Sequence, residues 1–397
     1  MTTDLAVRVA LAVLGTLAAA DALAVDPMPV KLGPVEFIPT VGLAQGYDDN
    51  AQQAPKGQEI TSAVTRVTPT LLFRARERAN RYELSYRGAY DFVASGGVGD
   101  RIDHHLLASS HLEFAARHRL DLTAGFDHIQ DIQNLTNRQY NEGGNIYNTF
   151  QVGALYGFGA QTSKAQLEVG ANYKWMRYLN NLHSGSMNIA QDYNSPGVTA
   201  TLYYRIAPKT RLLAEIDYNQ FDYTWSASTL DSYSLKYLAG VTWQGTAKTR
   251  GTLKLGYQQK TFRSGTTGTV GYPSADAAIT WTPTERAEFT FSASSYVGEG
   301  GLYESYIDTQ LYRLAWNHQW VKRFKSQVFV SYMDQKYQGG SYNGRADKTN
   351  QLGLRATYNL RRWVDVELEA NFRQLVSNVG QAGYDRNWFF LNFIFSL

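Results

Sequence analysis

The 397-residue chain contains no cysteine, which excludes disulfide frameworks, thiolate zinc sites, iron–sulfur clusters and covalently attached c-type haem. Neither sign of charge is in excess: 38 basic residues stand against 35 acidic ones, net +3, so the clustered basic footprint of a nucleic-acid binder is missing. Proline is sparse, at 10, and no Pro/Ser-rich linker, charge run or low-complexity tract divides the chain. Past the N-terminus no run of 18 apolar residues occurs, which excludes a membrane-spanning helix there. A soluble chain this long usually splits into two or three domains with separate cores, and nothing marks their boundaries.

The N-terminus is of another kind. Residues 1–24 hold one arginine, an apolar run from Val9 to Ala20, and Ala22-Leu23-Ala24, which fits a small-x-small cleavage site. The run is short for a membrane anchor, and Asp21 closes it. We therefore expect a signal peptide at 1–24, a periplasmic segment at 25–34 and one body from 35 to 397.

What the chain has in plenty is aromatic: 27 Tyr, 18 Phe and 8 Trp, with 34 Gly, a composition that favours strands over helices. In "WVDVELEANFRQL" (363–375) Val364, Val366, Leu368, Ala370 and Phe372 alternate with Asp365, Glu367, Glu369, Asn371 and Arg373. On a helix the acids would scatter; on a strand they share one face, because successive side chains point to opposite sides. The same period of two runs through "RYELSYRGAYDF" (81–92), "AQLEVGANYKW" (165–175), "GTLKLGYQQK" (251–260) and "NQLGLRATYNL" (350–360). Short turns such as "APKT" (207–210) and "VKRF" (321–324) alternate with longer Gly/Asn-rich loops such as 180–192 and 337–348.

Short turn, strand, long loop, strand predicts an all-β fold of about 18 strands, with 16 as the alternative. A β-sandwich of such size would need several repeated units with strands of about 5–6 residues. Strands of about 10–14 residues instead suit an antiparallel up-and-down barrel crossing a bilayer, apolar faces to lipid and polar faces to the lumen. Closure follows, since an open edge in hydrocarbon leaves backbone groups unsatisfied. The terminal "NWFFLNFIFSL" fits: Phe389, Leu391, Phe393, Phe395 and Leu397 share one face, as in the last strand of outer-membrane barrels.

For the polar face we name Arg87, Asp91, Lys174, Lys254, Arg355, Asp365, Glu367, Glu369 and Arg373 as lumen-lining residues. Each is open to a bland reading, a paired or solvated wall charge, and to a functional one, guidance of a hydrophilic solute. Neither sign dominates, so no ion preference is assigned. No loop reads as an inward-folded constriction; the longest candidate spans only 133–147, and a wide pore would suit an extended polymer. Asp48, Asp49 and Asn50 are oxygen-rich enough to raise calcium, but they end a strand, where Asp and Asn make turns. Ser109, Ser110 and His111 are consecutive on one strand, so their faces alternate and no third orienting group is evident. We expect no enzyme, no cofactor and no metal. "NLTN" (134–137) matches a glycosylation sequon, without weight in a Gram-negative outer membrane.

"GLAQGYDDN" (42–50), "RVTPTLLFRAR" (66–76), "RYELSYRGAYDF" (81–92) and "DHHLLASSHLEF" (103–114) follow one another in an order that resembles the putative β-barrel porin family of exopolysaccharide and capsule operons. The resemblance covers about residues 36–130. It implies export of a hydrophilic exopolysaccharide across the outer membrane, beside periplasmic polymerisation and export proteins. The expected partners are outer-membrane lipid and that polysaccharide, with no nucleic acid. The alternative is a diffusion or uptake porin for small hydrophilic solutes.

Overall fold

In a computed structural model the described residues are 29–396, apart from 96–98, 132–143, 181–187, 247, 266 and 302. The expected signal peptide, the "NLTN" sequon and most of the 133–147 loop lie outside them. A short strand, β1 (Val30–Leu32), is followed by eighteen long ones. These are β2 (Val35–Asp48), β3 (Ser62–Glu77), β4 (Asn80–Val93), β5 (Arg101–Ala115), β6 (His118–Asp131) and β7 (Asn145–Phe158). Next come β8 (Ala165–Tyr178), β9 (Tyr193–Ala207), β10 (Thr210–Tyr223), β11 (Ser232–Thr246), β12 (Thr249–Phe262) and β13 (Thr269–Thr284). The last are β14 (Ala287–Glu299), β15 (Tyr306–Val321), β16 (Phe324–Gln338), β17 (Ala346–Arg361), β18 (Val364–Ser377) and β19 (Tyr384–Ser396).

Each long strand pairs antiparallel with the next, and β19 returns to β2 over Thr40–Asp48, so β2–β19 form a closed 18-stranded barrel. The only helices among the described residues are two 3₁₀ turns, Asn188–Gln191 and Gly340–Tyr342. One end of the barrel carries two-residue turns at 78–79, 116–117, 208–209, 285–286, 322–323 and 362–363. Connections at the other end are longer, as at 49–61 and 224–231. Short turns face the periplasm and long loops the exterior in barrels of this kind.

Both faces follow from the period of two. Leu43, Leu106, Val169, Ile216, Leu255 and Leu368 are exposed, and Leu255 and Leu368 each keep 58% of their surface. Such a belt is untenable in water and stable in hydrocarbon. Phe114, Phe158, Trp281, Trp320 and Trp363 ring it beside the short turns, where amphipathic rings sit at the membrane interface.

Closure is handled by β1. Among the described residues the β19–β2 ladder stops at Ser396–Thr40, and below it a bare edge of β2 would remain. There the chain turns back at Gly33-Pro34, with Gly33 at φ 63°, and pairs Val30, Lys31 and Leu32 with Phe37, Glu36 and Val35. Glycine adopts that positive φ without steric cost. The hairpin thus covers the part of β2 that β19 leaves open, which protects an otherwise exposed edge.

Candidate transport lumen

All nine residues named from the sequence fall in register on the face opposite the exposed apolar rows. Asp91 accepts from Arg66 Nε at 2.5 Å and Nη2 at 2.8 Å, and from Arg101 Nη2 at 2.9 Å. Lys254 donates to Glu215 at 3.0 Å, and Asp365 accepts from Asn359 Nδ2 at 2.7 Å. Arg355 lies 3.3 Å from Glu367 and 3.5 Å from Glu369, while Thr357 and Asn371 donate to the same two acids at 3.0 Å and 2.6 Å. These six are bonded along or across the wall, where opposite charges on neighbouring strands stiffen the sheet. Lys174 stands 5.7 Å over the Tyr193 ring, Arg373 lies 5.9 Å from the Tyr384 ring, and Arg87 is exposed with no carboxylate partner among the described residues.

The seam between first and last strands holds residues the sequence raised for other reasons. Asp48 accepts from Arg386 Nε at 3.0 Å and Nη2 at 2.5 Å. Asp49 accepts from the Asn387 backbone and side-chain amides, both at 2.6 Å. Asn50, fully buried, donates to the carbonyls of Ala54 and Asp385, both at 2.8 Å. The expected turn chemistry is there too, since Asn50 N donates to Asp48 Oδ1 at 3.1 Å. What the sequence could not give was the partner strand, 338 residues away.

His111 corrects a second expectation. Its Nδ1 sits 2.6 Å from Asp121 Oδ1, an orienting group supplied by the register of β6. His105 likewise meets Asp127 at 2.8 Å. Ser109 shares their face but is hydrogen-bonded to neither among the described residues, so no nucleophile–base pair is assembled. Ser110 faces outward with His104, which bonds Tyr86 Oη at 2.9 Å.

The mouth differs from the expected open one. The β13–β14 ladder ends at Ala275–Ser295. Above it, Gln258 on β12 bonds the backbone of Val297 on β14 through both ends of its amide, at 3.1 Å and 2.9 Å, across β13. Glu299 on β14 accepts from Lys260 on β12 and, at 3.2 Å, from Tyr223 on β10, four strands away. That is roughly 19 Å of wall at about 4.8 Å per strand. The end of β14 therefore leans across the inner surface. The neighbouring loops hold it: Ser305 N donates to Gln338 O at 2.8 Å, and Tyr342 N to Tyr303 O at 2.9 Å. On the β8–β10 side Leu230 packs into a small core with Tyr193, Tyr223, Met176 and Phe221. The inward element comes from several short connections rather than one long loop, which is why loop length missed it.

Arg66, Arg101, Arg313 and Arg386 also face inward and were not singled out from the sequence. A signal was present for Arg313: in "LYRLAWN" Tyr312, Leu314 and Trp316 alternate with Arg313, Ala315 and Asn317.

A closed wall, an apolar belt above an aromatic girdle and a charged inner face define a bacterial outer-membrane β-barrel of the porin class, a channel fold. Over residues 24–396 the chain matches the family described as putative beta-barrel porin 2, and it belongs to that family. No curated protein matches it in sequence. Among solved structures it is similar to the FrpB iron transporter from Neisseria meningitidis, F3-3 variant (12% identity, TM-score 0.46). That match covers 85% of this chain and 62% of FrpB, less than two thirds of its length. It is also similar to OccK11 (OpdR) of Pseudomonas aeruginosa, 12% identical, TM-score 0.45, over 94% of this chain and 99% of that one. OccK2 (OpdF) of the same species is 10% identical, TM-score 0.48, over 91% and 98%.

Proposed function

We propose that the protein is a passive porin for small hydrophilic solutes, the alternative of the sequence reading rather than polysaccharide export. The observation that carries this is the mouth: β14 and its neighbouring loops lean over a polar wall and narrow it from one side, whereas an extended polymer needs clear passage. Eighteen strands leave an aqueous channel of useful width even so. The nine lumen-lining residues would then form the wetted surface the solute passes. The family to which the chain belongs is described as a porin.

The test is reconstitution. In a liposome-swelling assay, mono- and disaccharides should enter at rates falling steeply with size, and planar bilayers should show discrete conductance steps. Release of entrapped long-chain dextran at a rate close to that of glucose would restore the export reading. Absence of any conductance would reject the channel itself.

A further inference from the structure

Four lumen-facing residues lie in register across four adjacent strands: Arg313 on β15, Ser331 on β16, Gln351 on β17 and Arg373 on β18. They span roughly 14 Å of wall at about 4.8 Å per strand, and none is acidic. Most arginines and lysines around them are spoken for, Arg355 by Glu367 and Glu369, Arg386 by Asp48. Arg313 and Arg373 have no carboxylate among the described residues. The nearest inward acid on β18, Glu369, is engaged by Arg355, by Asn371 and by Trp388 Nε1 at 3.4 Å.

The position of Arg313 is built. Its guanidinium lies 3.8 Å from the centre of the Phe329 ring, an attractive geometry for a cation over an aromatic face. Phe329 is itself fixed, because its ring covers Gly353 directly opposite on β17, where any Cβ would overlap it. Beside Arg373, two buried polar atoms have no hydrogen-bond partner among the described residues: Arg373 Nε and the Thr349 hydroxyl. Thr349 pairs with Leu375 on β18, two positions from Arg373, so the two lie on neighbouring positions of one wall. Buried donors without partners are costly and uncommon in folded proteins.

We propose that this row is a binding subsite for a small oxyanion, a carboxylate or phosphate group, on the way through the channel. The two guanidiniums supply charge and paired donors, the geometry that matches such anions. Ser331, Gln351 and Thr349 supply neutral bonds that fix orientation. The inference rests on the porin reading but is tested apart from it.

The experiment uses the full-length mature protein in planar bilayers, with the variants Arg313→Gln, Arg373→Gln and both together, and Lys174→Gln as a wall cation outside the row. Citrate, inorganic phosphate and glucose are added in turn and current block is measured. Citrate or phosphate should block the native channel, and glucose should not. The apparent Kd should rise about tenfold in each single variant, the loss of one charge-assisted contact, and further in the double, while Lys174→Gln shifts it less than about twofold. Block by citrate alone assigns a carboxylate subsite; block by both assigns a general oxyanion subsite. Equal block by glucose, or equal shifts in Lys174→Gln, overturns the proposal while open conductance keeps the porin reading alive. If no protein conducts, citrate binding to detergent-solubilised protein is titrated by calorimetry. Binding lost in the double variant then supports the subsite without the channel, and no binding by the native protein rejects it.

Discussion

Two places in the wall repeat one stack of glycine, phenylalanine and arginine. At the seam, Phe390 on β19 covers Gly46 on β2, and Arg66 on β3 lies 4.6 Å from the ring centre. Around the wall, Phe329 covers Gly353, and Arg313 lies 3.8 Å from the ring. In both a strand glycine lets a neighbour's ring lie flat on the backbone, and the ring seats a guanidinium. They differ in what comes next. Arg66 is held by Asp91, beside the Asp48–Arg386 pair, with side-chain exposures of 9%, 2% and 10% for Asp91, Asp48 and Arg386. Arg313 has no acid. The seam joins the two ends of the barrel, so its charges are satisfied within the protein. Arg313 joins strands adjacent in sequence, which the ladder already holds, and its charge is left to the lumen.

The contrast breaks first at the seam. Asp48→Ala leaves Arg386 buried without its carboxylate and should cost about 3–5 kcal/mol, read as a lower urea midpoint for unfolding from vesicles. Arg313→Gln should cost about 0.5–1 kcal/mol in the same assay, the loss of its cation–π contact with Phe329. Equal losses would mean that both arginines serve the fold.

The comparison also assumes that both stacks face inward. Ala370, midway along β18 and on the opposite face from Glu369 and Asn371, is the place to test it. Ala370→Arg should cost about 2–4 kcal/mol as a charge at the bilayer midplane, whereas Val366→Arg, near the periplasmic interface, should cost about 0–1 kcal/mol. If Ala370→Arg is harmless and Asn371→Leu is not, the faces are reversed.

How much of this was legible is clear from particular residues. Alternation in 363–375 was enough to predict both faces of β18, because the period of a strand is a local property. The closed wall and its 18 strands followed from strand length and turn spacing in the same way. Asp48–Arg386 was out of reach, since the contact depends on where the sheet closes, a global quantity. Arg313 was legible in phase but not in importance: its lack of a carboxylate among the described residues appears only once every neighbouring acid has been placed. The inward lean of β14 was invisible because it arises where a ladder stops at Ala275–Ser295, and no residue type marks that point.

Smaller effects sharpen the contrast. Gly46→Ala and Gly353→Ala should each cost about 1–3 kcal/mol by overpacking, measured by the same unfolding assay. Only Gly353→Ala, by displacing Phe329 and with it Arg313, should also weaken citrate block. If Gly46→Ala weakens block as much, the two stacks are not functionally distinct.

The smallest expected effect concerns the loops that hold β14 inward. Glu304, 2% exposed in the β14–β15 connection, has its carboxyl pushed up to about 8 by burial, against an ordinary 4.5, with Arg345 opposing the shift. Arg345 is spent largely on Asp347 at 2.6 Å and on the Tyr337 and Tyr342 rings at 4.6 Å and 4.9 Å. Below pH 4.5 Glu304 is neutral whether the connection is packed or released, and the packed form keeps its full stability. Between 4.5 and about 8 only the released form ionises, so the packed form loses stability steadily as pH rises, and above about 8 the loss is complete. Limited proteolysis of the reconstituted protein at pH 5, 7 and 9 should therefore cut the β14–β15 connection faster at each step, and Glu304→Gln should flatten the trend. Both citrate block and the seam should be indifferent to that substitution, because neither the arginine row nor Asp48 touches the loop. A Glu304→Gln protein whose cleavage still accelerates with pH would place the sensor elsewhere in the mouth.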